Sequence, residues 1–164
     1  MEPTIYTVLI SDFKTIESAG ILQTVLGSCI AICLYESERK VASLSHALLP
    51  SIEFSSKQGG KNPKKYVDTL IQMQLAELRS LGVLKKNLVA KLIGGANMFS
   101  EVVPDSENHV GKKNAKKAQE ILNELQIPVV GQDLGNYFGR KVNFNVETGI
   151  VTVLKPSGEH WKTL

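Results

Sequence analysis

Apolar and polar positions alternate along this chain in two rhythms, and the change of rhythm marks the elements. Short apolar runs bounded by turn residues predict strands at Ile5–Ile10, Ser28–Tyr35, Lys40–Leu48, Leu88–Ile93, Val129–Asp133, Lys141–Val146 and Ile150–Leu154. Glu147-Thr148-Gly149 supplies a tight turn between the last two. Helical spacing occurs twice. Tyr66, Leu70, Met73 and Leu78, joined by Val67, Ile71, Leu75 and Leu81, form a broad apolar face that ends near Gly82. Asn62-Pro63 offers that helix a cap and a first-turn proline. A second helix is expected from about Gly111 to Leu125, with Ala115, Ala118, Leu122 and Leu125 on one side and Pro128 beyond its end. The methionine and leucine stripe of the first helix reads as core rather than as a partner surface. Early hairpins, a central helix-strand-helix-strand passage and a closing hairpin predict a mixed α/β (α+β) domain, not a doubly wound parallel sheet. Pro50–Asn62, rich in Ser, Gly and Lys, reads as a mobile loop that follows the His46 strand and can form part of a substrate rim.

Composition narrows the class. The 164 residues are the length of a single domain, 1–164, long enough to bury a sizeable core. Hydrophobic content of 43% and charged content of 21% exclude a disordered or fibrous chain. No apolar run is long enough to cross a bilayer, so no membrane insertion is expected. Met1–Ile10 carries Glu2 and no basic residue, unlike a signal peptide, which predicts a cytoplasmic protein. The net charge of +3 is mild, and the lysines of Lys57–Lys65 and Lys112–Lys117 lack interleaved aromatics. They read as solvated surface, and no nucleic-acid partner is expected. Cys29 and Cys33 stand too far apart along a strand for a relaxed disulfide. His46, His109 and His160 are widely separated, so neither a metal nor any cofactor is indicated.

Candidate chemistry gathers at Cys29. The segment Gln23-Thr24-Val25-Leu26-Gly27-Ser28-Cys29-Ile30 enters an apolar strand through Gly-Ser. A cysteine just past such a turn can expose its sulfur while neighbouring backbone N–H groups point at a reacting carbonyl. The bland alternative is a buried structural cysteine, which is the reading for Cys33. Register sharpens the choice. Glu36-Ser37-Glu38-Arg39 reads as a hairpin loop; pairing Tyr35 with Lys40 sets Cys29 directly opposite His46. Opposed residues share a face, with Cβ atoms roughly 4.5–5.5 Å apart, and a slip of one residue would separate them. A histidine on an apolar strand is commonly a satisfied core residue. Opposite this cysteine it becomes the candidate base, giving a thiolate held by imidazolium. Thr24 either orients the imidazole, helps hold an oxyanion, or is an ordinary β-branched strand residue.

These residues resemble the CheD family of chemoreceptor glutamine deamidases. The likeness runs from about Thr24 to Val153 through an ordered set of motifs. They are Leu26-Gly27-Ser28-Cys29; Ser45-His46-Ala47-Leu48-Leu49-Pro50; Lys65-Tyr66-Val67-Asp68; Lys91-Leu92-Ile93-Gly94-Gly95-Ala96-Asn97-Met98-Phe99; Val110-Gly111-Lys112-Lys113-Asn114; and Gly135-Asn136-Tyr137-Phe138-Gly139-Arg140. The resemblance implies a cysteine hydrolase that converts receptor glutamines to glutamates, with Cys29 as nucleophile, His46 as base and Thr24 as the family threonine. It implies a sandwich of mixed β-sheets flanked by helices, like the deamidase toxins, with the cytoplasmic region of methyl-accepting chemoreceptors as substrate. Some members bind the phosphatase CheC. Asn136 stands where a second glycine is usual, a change that asparagine's tolerance of left-handed backbone accommodates. Lys113 stands for the more usual arginine, keeping the charge but losing the fork. Gly94-Gly95 lacks the rest of a phosphate-binding motif and reads as close strand-loop packing. Two rival readings stand beside the deamidase: a non-catalytic chemotaxis regulator that binds a receptor or phosphatase, and a cysteine peptidase or small-amide hydrolase on the same pair.

Overall fold

The computed structural model describes residues 1–54, 62–99 and 108–164. Within them the strands form two five-stranded sheets, and both helices lie against one sheet only. The outer sheet contains β1 (Ile5–Thr7), β3 (Ile21–Leu26), β8 (Arg140–Asn145), β9 (Val151–Leu154) and β10 (His160–Thr163), in that spatial order. The middle sheet has the order β2 (Asp12–Glu17), β5 (Val41–Ala47), β4 (Ile30–Glu36), β6 (Val89–Gly94) and β7 (Val129–Leu134). Each sheet is mixed, with one parallel pair: β1 with β3, and β6 with β7. The helices α1 (Val67–Ser80) and α2 (Val110–Glu124) cover the free face of the middle sheet. This is the expected sandwich of mixed sheets, with its helices confined to one side.

Two cores follow from that layering. Every residue of β4 and β5 is buried, because helices cover one face and the outer sheet covers the other. Ile30, Ile32 and Leu34 pack with Val67, Leu70, Ile71, Ala118 and Leu122 from the helices. Ala31, Cys33 and Tyr35 point the other way, into Leu22, Val142, Phe144, Val151 and Val153 of the outer sheet. The apolar stripe of α1 is therefore core. A buried ion pair also joins the sheets, Arg140 Nε of β8 donating to Asp133 Oδ2 of β7 at 2.7 Å.

The hairpin register differs from the expected one. Tyr35 pairs with Ala42, and Ala31, not Cys29, lies opposite His46. The turn explains the shift. The Glu36 carboxylate accepts from the N–H groups of Arg39 at 2.8 Å and Glu38 at 3.3 Å, closing a loop over residues 37–40 that ends with Lys40 at φ 53°. Strand pairing therefore begins at Glu36 and Val41. Since the displacement is two residues, side-chain parity is kept, and Cys29 still faces the same side as His46.

Other boundaries also moved. Asn62 caps only a 3-10 turn at Pro63–Lys65, its Oδ1 accepting from Lys64 N at 3.1 Å. Tyr66 then returns to extended backbone because Val67 N donates to Leu49 O while Leu49 N donates to Lys65 O, so α1 starts only at Val67, beyond the Asn62-Pro63 start expected for it. β1 ends at Thr7, where the chain leaves the outer sheet for the middle one. Three strands were not expected. β2 and β10 are sheet edges whose mixed residues are only partly buried, and β3 hides Thr24 among its inward residues, which blurs the alternation. Most of the Pro50–Asn62 loop, residues 55–61, lies outside the described residues.

Candidate active site

Both sheets contribute to one cavity of about 480 Å³, lined by Thr24 of β3, His46 of β5, Cys29 and the link that joins β1 to β2. Thr24, Cys29 and His46, the three residues singled out in the sequence, thus meet at one place. Cys29 precedes β4 and is 7% exposed. Ala31, directly across from His46, is small and leaves the ring room to turn toward the outer sheet. There His46 Nδ1 lies 2.8 Å from Thr24 Oγ1.

That contact fixes a proton. The Thr24 hydroxyl donates to Val8 O at 2.8 Å, and a carbonyl oxygen has no proton to return. Having spent its proton there, the hydroxyl can only accept from His46 Nδ1–H. The neutral ring therefore carries its lone pair on Nε2. Nε2 is buried and has no hydrogen-bond partner among the described residues. The β1–β2 link holds both partners: Val8 N donates to Gln23 O at 2.7 Å, and Ser11 N donates to His46 O at 2.9 Å.

Burial sets the resting charge state. It pulls the His46 imidazole down to about 4 and pushes the Cys29 thiol up to about 11, the cysteine's own backbone N–H acting weakly the other way. At neutral pH both groups are uncharged. Burial thus opposes the charged form of each group taken singly, by stripping hydration from either ion.

The backbone at the cysteine turn is pinned from behind. Gly27 O accepts from Ala96 N at 3.1 Å, and Cys29 O accepts from Gly95 N at 2.9 Å. Ser28 O accepts from Asn114 Nδ2 of α2 at 3.0 Å. In a trans peptide the C=O and the following N–H point in opposite directions. The N–H groups of Ser28 and Cys29 therefore turn away from those donors, and no carbonyl among the described residues accepts from either. Gly94 makes this close fit possible, since a Cβ there would sit 2.4 Å from Cys29 O, at a φ of +116°. The Gly94-Gly95 motif is thus the close packing expected of it. Asn136 adopts φ 59°, and its carbonyl accepts from Asn97 N at 2.9 Å, so asparagine does fill the left-handed position.

Outside the cavity mouth the surface is apolar. Leu9, Ile10 and Val25 are exposed beside it, and the Met98 side chain lies on Gly27. Cys33 is elsewhere, 1% exposed in the core between the sheets, and both cysteines are free thiols. Among the described residues no three side chains of metal-ligating type come together. Sequence reasoning passed over Asn114. Its signal was a polar residue at the helical spacing of Ala118 and Leu122, on the face that packs against the sheet.

A family model described as "CheD chemotactic sensory transduction" matches residues 48–155. The probable chemoreceptor glutamine deamidase CheD of Caldanaerobacter subterraneus subsp. tengcongensis is 39% identical over 93% of this chain and 94% of the relative. That of Thermococcus kodakarensis is 41% identical over 90% of this chain and 91% of its own. The chemoreceptor glutamine deamidase CheD of Halalkalibacterium halodurans is 37% identical over 82% and 79%.

Proposed function

Because this chain belongs to the CheD family, we propose that it deamidates glutamine side chains of chemoreceptors by a cysteine–histidine thioester route. The observation that carries this reading is the Thr24–His46 hydrogen bond, with the hydroxyl proton committed to Val8 O. It leaves a buried Nε2, unpartnered among the described residues, in the same cavity as a cysteine.

A glutamine carboxamide enters the cavity, and the Cys29 thiol turns to Nε2 and gives up its proton as Sγ attacks the amide carbon. The new C–S bond pushes the carbonyl electrons onto oxygen, which the Ser28 and Cys29 N–H groups receive. Thr24 steadies the imidazolium through its Nδ1–H. That cation gives its Nε2 proton to the amide nitrogen, the C–N bond breaks, and ammonia leaves a thioester. Water then gives a proton to Nε2 and adds to the thioester carbon. The C–S bond breaks, the proton returns to sulfur, and the product is glutamate. Burial, which disfavours either charge alone, suits this order, since charge appears only as the oxyanion forms to meet it.

The apolar rim at Leu9, Ile10 and Val25 favours a glutamine carried on a protein surface over a free small amide. On this reading residues 1–164 act as one catalytic domain in the cytoplasm, with the cytoplasmic region of methyl-accepting chemoreceptors as substrate and CheC as a regulatory partner. Incubating the protein with the cytoplasmic part of its cognate receptor should convert specific glutamines to glutamates, mapped by mass spectrometry. Cys29→Ala and His46→Ala should still bind, with conversion abolished in the first and reduced to a trace in the second. Conversion by Cys29→Ala at the wild-type rate would sink the mechanism, and binding without conversion by wild type would favour the regulator instead.

A further inference from the structure

Asn114 is fully buried on the sheet-facing side of α2, in line with Ala118 and Leu122. Its Nδ2 donates to Ser28 O at 3.0 Å and to Leu48 O at 3.1 Å. The opposite amide orientation would aim an oxygen at two carbonyl oxygens, so the contacts themselves assign the nitrogen. Oδ1 is buried with no partner among the described residues. An unpaired buried oxygen is unfavourable, and an apolar residue of similar size would avoid it. Packing alone therefore does not account for an asparagine here, whereas its two carbonyl contacts do.

Those carbonyls belong to the two segments that carry the candidate chemistry. Ser28 O shares a peptide plane with Cys29 N–H, and Leu48 stands two residues beyond His46. The neighbouring carbonyls of Gly27 and Cys29 are held by the backbone N–H groups of Ala96 and Gly95. Only the middle peptide depends on a side chain for its orientation. We infer that Asn114 is a positioning residue for amide hydrolysis: by drawing the Ser28 carbonyl toward α2 it aims the Cys29 N–H at the oxyanion, and through Leu48 it ties that peptide to the strand bearing His46. This inference rests on Cys29 acting as an acyl-transfer nucleophile.

The test uses Asn114→Ala and Asn114→Ser in the full-length chain with the receptor cytoplasmic fragment as substrate. Losing the orientation of one oxyanion donor should lower kcat about 10²-fold, while KM stays within about threefold. Alkylation of Cys29 by iodoacetamide, followed in a Cys33→Ala background, is displacement at an alkyl carbon and forms no oxyanion. It should change by less than about threefold, which separates donor aim from collapse of the cysteine–histidine pair. A kcat within threefold of wild type would overturn the inference. So would parallel losses of kcat and alkylation, or failure of both variants to fold, which would make Asn114 a structural buttress. If wild type converts no receptor glutamine, the deamidase reading fails by itself. Crystal structures then decide the role of Asn114: a rotated 28–29 peptide in Asn114→Ala supports it, and an unmoved one overturns it.

Discussion

Cys29 and Cys33 lie four residues apart on the same side of the same stretch of chain, and burial raises both thiols, to about 11 and about 12. Their acidity does not tell them apart; their surroundings do. Cys33 is packed among side chains between the sheets, with Lys91 across the ladder as its nearest cationic influence. The Lys91 ammonium is itself occupied, donating to Gly149 O at 2.7 Å and Leu164 O at 2.8 Å. Cys29 has a cavity beside it and, among the described residues, an imidazole nitrogen without a hydrogen-bond partner lining that cavity and two backbone N–H groups without carbonyl partners. A thiol with a raised pKa can still serve as a nucleophile where a base takes its proton during attack and donors receive the resulting oxyanion. One with neither is filler.

That contrast can be broken by substitution. Cys29→Ala should reduce receptor deamidation by about 10⁴-fold or more, since nothing else in the cavity can form the thioester. His46→Ala should cost about 10³-fold, the usual reach of a general base, with the fold retained as judged by circular dichroism. Thr24→Val removes the acceptor for Nδ1–H and should lower kcat about 10- to 100-fold, the worth of a hydrogen bond to a charged group. Thr24→Ser keeps the hydroxyl and should recover most of the rate. Recovery by valine instead would make Thr24 a packing residue. Cys33→Ala should leave kcat within about threefold and cost roughly 1–2 kcal/mol of stability by thermal melting, the effect of a small core deletion.

The pH profile sharpens the same comparison. His46 works as a base only when neutral, and burial lowers its pKa from 6.5 to about 4. The acid limb of kcat/KM should therefore fall near pH 4, about tenfold per unit below it. An acid limb near 6.5 would mean that His46 is not buried in the working enzyme. Linkage gives the same sign for stability. The unfolded chain binds the proton first as pH falls from 6.5, so wild type should lose stability down to about pH 4, and His46→Phe should lose less over that window.

Much of the site was legible because strand periodicity has only two outcomes. Cys29 and His46 are on opposite arms of one hairpin, and any even displacement of the register leaves them facing the same side. The two-residue shift imposed by the Glu36 carboxylate changed the opposed partner from Cys29 to Ala31 without changing the face. The inner strand β3 was missed because Thr24 interrupts its apolar side, whereas the helices and the strands of the middle sheet's interior were legible because burial demands unbroken apolar spacing there. The edge strands β2 and β10 were not, since an edge half-exposed to water needs no such pattern. Thr24 and Asn114 were harder for a different reason. Each is a polar residue in an otherwise apolar pattern, and a pattern records that it is an exception without recording what it touches.

The chain's own order of residues determined the apolar face of α1, the turn at Gly27-Ser28 and the shared face of Cys29 and His46, all consequences of local spacing. Only the tertiary structure decided the imidazole's tautomer and the setting of the cysteine turn. The tautomer depends on Thr24 reaching across from a second sheet to His46 while Val8 takes its proton. The setting of the turn depends on α2 arriving behind it with Asn114. Hydrogen-bond direction is a property of atoms brought together from distant parts of the chain, and no spacing along one segment encodes it.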